Sequence, residues 1–215
     1  MRVSRLQAEQ NKQKVIDVAS QLFREHGFDG IGLKDLMHGA GLTQGAFYKQ
    51  FASKDDLAAQ ASARAMQSTQ RRWEAAAAKN PQDPLGAVIA FYLNPAHREK
   101  RMEGCPIAAL GSDAVRQNAN IRASFETGIK EYLHLLTGWF SEAGDVAVDE
   151  AAAAAETSDK AMATLSTMVG ALLLARAVND EQLAGRILQA AAGNVQAAAG
   201  IRDAQPGDTQ QGPHS

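Results

Sequence analysis

The sequence contains very little cysteine. Cys105 is the one cysteine among 215 residues, which excludes a disulfide within this chain and a zinc site built from several cysteines. The five histidines form neither an HExxH motif nor a pair spaced four residues apart. Such a sequence predicts no bound metal, and no motif in it indicates another cofactor.

Long apolar runs are also missing. No run approaches the roughly 18 residues that a membrane-spanning helix needs. The N-terminal segment MRVSRLQAEQNKQK carries positive charge, but no apolar stretch follows it, unlike a secretory signal. The sequence therefore predicts a cytoplasmic protein without a membrane partner.

Charge of one sign is not in excess. The 22 lysines and arginines are balanced by 24 aspartates and glutamates, which gives a net charge of −2. The chain therefore has no overall attraction to nucleic acid. With 45% apolar and 21% charged residues, its composition is that of a folded globular protein rather than a disordered one.

Strand patterns are absent, whereas helical patterns are frequent. No period-two run of β-branched or aromatic residues occurs. Apolar residues at Val15, Ile16, Ala19 and Phe23 mark one face of a first helix over about 6–26. Two short helices follow, the second beginning near Thr43 as N-cap, and Ser53 is suited to cap a longer fourth helix that ends near residue 79. We expect an all-α fold.

Prolines and glycines divide the rest of the chain into further helical segments. The last two, over about 149–178 and 181–199, are long and rich in Ala and Leu. We divide the chain into a head over 1–56, a helical body over 57–202, and a polar tail over 203–215 that is expected to be disordered.

Two short helices joined by a glycine-containing turn are typical of a helix-turn-helix, which places its second helix in the DNA major groove. The segment LKDLMHGAGLTQGAFYKQFASKDDL resembles the N-terminal signature of TetR-family transcriptional regulators. Gly41, Gly45, Tyr48, Phe51, Lys54 and Leu57 stand at the family's spacing. The resemblance covers about residues 8–60, and the later segment GALLLARAV is similar to the penultimate helix of many members. It implies a homodimeric regulator, expected to be a repressor that a small-molecule or electrophile effector releases from a palindromic operator.

The short third helix carries side chains suited to DNA. The Gln44 amide is able to pair with adenine, and small residues at 45 and 46 allow close approach to base edges. Tyr48 and Lys49 offer donors for phosphates. By resemblance, family members use the positions of Thr43, Gln44, Tyr48, Lys49 and Lys54 on DNA. The candidate DNA-binding residues are Lys34, Thr43, Gln44, Gly45, Ala46, Tyr48, Lys49 and Lys54. Phe47 and Phe51 are expected in the core instead.

The last two helices carry apolar stripes that are too extensive to leave exposed. We expect them to pair with the same helices of a second copy. The predicted dimer interface comprises Leu165, Met168, Val169, Leu172, Leu183 and Ile187.

Cys105 supports two interpretations. Gly104 and Pro106 around it predict a helix N-cap with proline at the first helical position, and a thiol at a helix N-terminus is more easily ionised. Cys105 is therefore either a sensor on the effector side or a buried, inert residue.

Two other functions remain as alternatives. One is a helical enzyme that uses Cys105 with a histidine, although no G-x-S-x-G motif or Walker loop is present. The other is a structural helical dimer without a role on nucleic acid. We favour the regulator and expect no enzymatic activity.

Overall fold

The computed structural model describes residues 5–142 and 150–200. Within these ranges the chain is helical and contains no strand, which confirms the all-α prediction. The helices are α1 Arg5–His26, α2 Leu33–Gly39, a 3₁₀ helix Gln44–Lys49, α3 Lys54–Ala77, α4 Pro84–Tyr92, α5 Pro95–Glu99, α6 Pro106–Ala114, α7 Ala119–Glu142, α8 Glu150–Ala177 and α9 Glu181–Ala198. The segment 203–215, expected to be disordered, lies outside the described residues.

The turn between α2 and the 3₁₀ helix is fixed by backbone hydrogen bonds. Gly41 has φ +71°, a left-handed conformation that glycine adopts without strain. Its N–H donates to the His38 carbonyl at 2.8 Å, and the Leu42 N–H donates to the Met37 carbonyl at 2.9 Å. This pair of bonds is a Schellman motif, which ends α2 and sends the chain into the next helix.

The third helix differs from the sequence-based expectation. It is a 3₁₀ helix of six residues, and Thr43 at its N-cap makes no side-chain capping bond. The Ala46 N–H donates to the Thr43 carbonyl at 3.0 Å, an i to i+3 bond that the tighter helix favours over so short a span. The predicted hydroxyl cap on this helix is therefore wrong.

Helix α3 connects the head to the body. Its N-cap is Ser53, whose hydroxyl accepts from the Asp56 N–H at 3.0 Å, as the sequence predicts. Along its 24 residues it packs against α1 and, more extensively, against α7. At Gly128 the two long helices approach so closely that an added Cβ would lie 2.5 Å from the Met66 Cγ.

Head and body share one continuous apolar core within the described residues. Val15, Phe23, Leu36 and Phe47 fill it in the head, and Trp73, Tyr92, Tyr132 and Leu136 fill it in the body. The predicted boundary between residues 56 and 57 falls in the first turn of α3. None of the described helices is both long and apolar enough to cross a membrane.

Candidate nucleic-acid interface and buried polar cluster

The predicted DNA-binding residues lie at the surface of the head. We call the eight candidate residues named above the reading face. Lys34, Thr43, Gln44, Gly45 and Lys49 are exposed, and Ala46 and Lys54 are half-buried. Tyr48 is 69% exposed, although tyrosine normally buries most of its ring. The structure thus presents amide, hydroxyl and ammonium groups together to solvent.

A buried aromatic pair supports this face from below. Phe47 and Phe51 are 1% and 4% exposed, as the sequence predicts for core residues. Their rings stack with centroids 5.3 Å apart, and Tyr48 meets Phe47 edge to face at 5.2 Å. The Tyr48 ring therefore packs by its edge on the buried pair while most of the residue remains exposed.

Gly45 leaves open space at the centre of the reading face. A Cβ placed there would meet no atom within 4 Å, so packing inside the head does not require glycine. The missing side chain instead allows another molecule to approach the backbone closely.

Two lysines of α1 lie beside the reading face, and our sequence analysis missed them. The Lys14 Nζ is 3.5 Å from where a Gly41 Cβ would stand, and the Lys12 Nζ lies 5.8 Å from the centre of the Phe51 ring. Both are some thirty residues away along the chain. Their position on α1, outside its buried Val15 and Ile16 face, was the available signal.

A second group of polar residues is buried in the body. We call it the buried polar cluster; its members are Thr69, Trp73, Tyr92, His97, Cys105, Tyr132 and Arg176. Cys105 is the N-cap of α6 with Pro106 in its first turn, as predicted, but it is 0% exposed. Its surroundings match the buried interpretation of this residue.

His97 is held in one tautomer by two backbone groups. Its Nδ1 lies 2.7 Å from the Tyr92 carbonyl oxygen, so this nitrogen carries the proton. Its Nε2 accepts from the Cys105 N–H at 3.0 Å. Burial lowers the pKa of His97 to about 4, because a charged imidazole would lose water without gaining an acidic partner.

Several polar atoms of the cluster lack good hydrogen bonds. Trp73 Nε1 and Arg176 Nη1 are buried and have no partner in the described part of the chain. The Tyr92 hydroxyl lies beside the Cys105 thiol, and the Thr69 hydroxyl beside Tyr132, but neither makes a bond of ordinary geometry. Burial raises the pKa of Tyr92 and lowers that of Arg176. Unsatisfied buried donors of this kind call for an additional acceptor.

The predicted dimer residues divide into two groups. Leu165, Met168 and Leu172 are 7%, 0% and 0% exposed within a single chain, so they belong to its own core and not to a free surface. Leu183 is 42% exposed, and Val169 and Ile187 are half-buried. Because α8 is apolar on several sides, its sequence pattern does not identify which side packs into the core of its own subunit. The assignment of the first three residues to the interface is therefore corrected.

An all-α chain whose head carries a helix-turn-helix with exposed polar side chains, joined to a larger helical body, has the arrangement of a DNA-binding regulator. Residues 15–61 match the family model of bacterial regulatory proteins, tetR family. Residues 81–191, about half of the chain, match the model of the C-terminal domain of LmrA/YxaF-like transcriptional regulators. The chain belongs to the TetR family of transcriptional regulators and is a DNA-binding regulator.

Individual relatives are more distant. The HTH-type transcriptional regulator AcrR of Shigella flexneri is 36% identical over 56 residues, and the match spans 26% of this chain and 26% of that relative. The reduced form of E. coli NemR is 19% identical with a TM-score of 0.72, covering 88% of this chain and 97% of its own. A TetR regulator from Chloroflexus aurantiacus is 23% identical with the same TM-score, covering 88% and 94%. AibR, solved with isovaleryl coenzyme A and operator DNA, is 16% identical with a TM-score of 0.54, covering 86% and 97%. These structures show a shared fold.

Proposed function

We propose that this chain is a homodimeric repressor, working in the cytoplasm, that binds a palindromic operator and leaves it when a small-molecule effector binds. The carrying observation is the reading face, where Gln44, Tyr48 and Lys49 stand exposed on a base of buried aromatic rings. An amide and a hydroxyl suit base edges and phosphates, and the ammonium suits phosphates.

Two heads are needed because a single short helix reads few base pairs. Dimers of this kind bind half-sites about 34–36 Å apart along the DNA, and a two-fold symmetric protein matches a palindrome. The head over 1–56 would supply the DNA contacts. The body over 57–202 would supply the dimer contacts and the effector site.

The exposed apolar side chains of α8 and α9 support a dimer. Leu173, Leu174 and Leu183 are 48%, 56% and 42% exposed, and Met162 is 43% exposed on the same helix as the first two. Large apolar side chains gathered on two adjacent terminal helices indicate a contact surface. With Val169 and Ile187 they form the interface that we propose.

The buried polar cluster is our candidate for the effector side. An effector with hydrogen-bond acceptors would satisfy Trp73 Nε1 and Arg176 Nη1, which are buried and have no partner within 5–142 and 150–200. If the effector weakened operator binding about a hundredfold, the coupling free energy would be about 2.7 kcal/mol, within the usual range for allostery.

Cys105 is the residue through which an electrophile or oxidant would act. Because its thiol is fully buried, such a reagent must first open the turn that precedes α6. We expect a mild electrophile to release the wild-type protein from its operator and to leave Cys105→Ser bound. Equal responses of the two proteins would leave Cys105 as a packing residue.

The proposal is tested by fluorescence anisotropy with the DNA upstream of the chain's own gene. We expect two subunits to bind per operator, with an affinity that falls steeply as salt rises. A scrambled duplex of the same length is the control. Equal affinity for both duplexes would favour a structural helical dimer, and would remove the proposed repressor function.

A further inference from the structure

A polar cleft lies where the head meets the body, and none of its lining residues belongs to the reading face or to the buried polar cluster. We call it the arginine cleft. Its volume is about 390 Å³, and it is lined by Asp17, Ser20, Gln21, Arg24, Arg64, Ser68, Arg72 and Glu103. Its walls come from α1, from α3 and from the turn that precedes α6.

Positive charge is in excess in this cleft. The cleft is lined by three arginines and by two acidic residues, Asp17 and Glu103. The Asp17 carboxylate is paired with Arg64, whose Nε donates to Asp17 Oδ1 at 2.5 Å. The second carboxylate belongs to Glu103, whose side chain is exposed and whose backbone carbonyl accepts from Arg72. Among the described residues, neither Arg24 nor Arg72 forms an ion pair, and the Glu103 carboxylate only partly offsets the effect of burial on Arg24.

Arg24 is a buried cation whose charged form is disfavoured by its surroundings. It is 6% exposed, and a buried cation normally has an ionised partner. Its Nε donates to the Ser20 carbonyl at 2.8 Å and its Nη1 to the Gly104 carbonyl at 2.9 Å, both neutral acceptors. Burial and then the nearby charge of Arg72 lower the pKa of Arg24 to about 10.

Arg72, which lines the same cleft, has an unused donor. Its Nε is buried and has no hydrogen-bond partner in the described ranges 5–142 and 150–200. A guanidinium presents its N–H groups as a fixed fork that fits two oxygens of one carboxylate or phosphate. An oxyanion between Arg24 and Arg72 would supply the missing acceptor and relieve the repulsion between them.

We propose that the arginine cleft binds a small ligand through a carboxylate or phosphate group held by Arg24 and Arg72. Ser20, Gln21 and Ser68 supply the polar wall beside that group. The ligand class is a compact oxyanion, because the cleft is small, polar and open to solvent on one side.

The position of the cleft links its occupancy to the DNA-binding state. Arg24 belongs to α1 of the head, and the carbonyl that it binds belongs to Gly104, directly before Cys105. Gly104 is itself packed so tightly that an added Cβ would lie 2.4 Å from Arg176 Nη2. A ligand that moves Arg24 therefore acts on the contact between head and body. This second part rests on the proposed function.

Binding is tested by isothermal titration calorimetry on the full chain without DNA. Sodium phosphate and sodium succinate are titrated separately, each against sodium chloride at equal ionic strength. We expect at least one of the two anions to bind the wild-type protein. In Arg72→Gln that anion should bind about tenfold more weakly or worse, the usual effect of losing a charged hydrogen bond. Arg71→Gln removes the same charge from an exposed neighbour outside the cleft and should stay within about twofold of wild type.

Failure of both anions to bind the wild-type protein more tightly than chloride would overturn the site. Equal loss in Arg72→Gln and Arg71→Gln would also overturn it, because the effect would then be one of net charge. Circular dichroism establishes that each variant is folded. If Arg72→Gln does not fold, Arg72→Lys is measured instead, because it keeps the positive charge and removes the paired N–H donors of the guanidinium. Unchanged anion affinity in Arg72→Lys would contradict the proposal.

The link to DNA is tested by operator anisotropy with and without the anion that binds, at constant ionic strength. We expect the anion to change wild-type operator affinity about fivefold or more, within the range of allosteric coupling, and to leave Arg72→Gln unaffected. Anion binding with unchanged operator affinity would overturn the link. An absence of operator binding in every condition would instead refute the proposed function, and the calorimetric result would stand separately.

Discussion

The polar groups of the reading face and those of the buried polar cluster lie in opposite surroundings. In the head, Gln44, Tyr48 and Lys49 are exposed on one surface, and the packing beneath them is apolar. In the body, Trp73 and Arg176 have buried polar atoms without partners among the residues that the structure describes. An exposed donor remains hydrated until DNA arrives, whereas a buried unsatisfied donor costs about 1–3 kcal/mol until an acceptor is supplied. The reading face is therefore open to a large external partner, whereas the buried polar cluster carries an unmet hydrogen-bonding cost inside the body.

The largest expected effect distinguishes the core of the body from its surface. Leu172 is 0% exposed and its neighbour Leu173 is 48% exposed. Leu172→Arg places a charge in the core and should lower the unfolding free energy by about 3–5 kcal/mol. Leu173→Arg should leave the subunit folded and produce monomers.

Urea unfolding and light scattering check this pair of variants. The two substitutions are chemically identical and adjacent, so each serves as the control for the other. A stable, monomeric Leu172→Arg protein would place this side chain on the interface, as its sequence pattern alone suggests.

The next effect is a pH dependence that belongs to the body. The pKa of His97 is about 4 in the folded chain, against 6.5 for an ordinary histidine. Above pH 6.5 the residue is neutral in both states, and its contribution to stability is complete. As the pH falls from 6.5 to 4, the unfolded chain binds a proton and the folded chain does not. About 3 kcal/mol of unfolding free energy should be lost in this window.

His97→Gln should flatten the dependence on pH between 6.5 and 4. His38→Gln is the matched control, because His38 is exposed on α2. The unfolding free energy of each variant is measured with urea across this range. Parallel curves for His97→Gln and His38→Gln would show that burial of His97 does not govern the acid sensitivity of the body.

The third effect is smaller and belongs to the head. Tyr48→Phe removes one hydroxyl from a ring that packs on Phe47, so the fold should be unchanged. Operator binding should weaken by about 1 kcal/mol, the usual contribution of a hydrogen bond. Anisotropy measures the loss, and unchanged affinity would remove the hydroxyl from the set of DNA contacts.

The reading face was predictable because its signals are local. Residues 43 to 49 contribute most of it, and Phe47 and Phe51 reveal its buried side by their spacing. The glycine at 41 and the Ser53 cap were predictable for the same reason, since turn and cap chemistry depends on a few adjacent residues. The 3₁₀ form of the third helix was not predictable from the sequence. Residues 44–49 have no helix propensity that would distinguish a 3₁₀ helix from a short α-helix.

The body was less predictable because its polar contacts are distant in sequence. Arg24 binds Gly104 across 80 residues, and Arg176 binds His97 across 79. No periodicity reports such a pair. The inner and outer faces of α8 were confused for a related reason, since Leu172 and Leu173 are equally apolar and tertiary packing alone separates them.

The most direct test of the account is the salt dependence of operator binding by Lys49→Ala. If Lys49 contacts a phosphate, the plot of log affinity against log salt should become less steep by about one unit per half-site. Lys79→Ala removes the same charge from an exposed residue of the body and should keep the wild-type slope. A Lys49→Ala protein that is folded and retains both the wild-type affinity and the wild-type slope would contradict the assignment of this face to DNA.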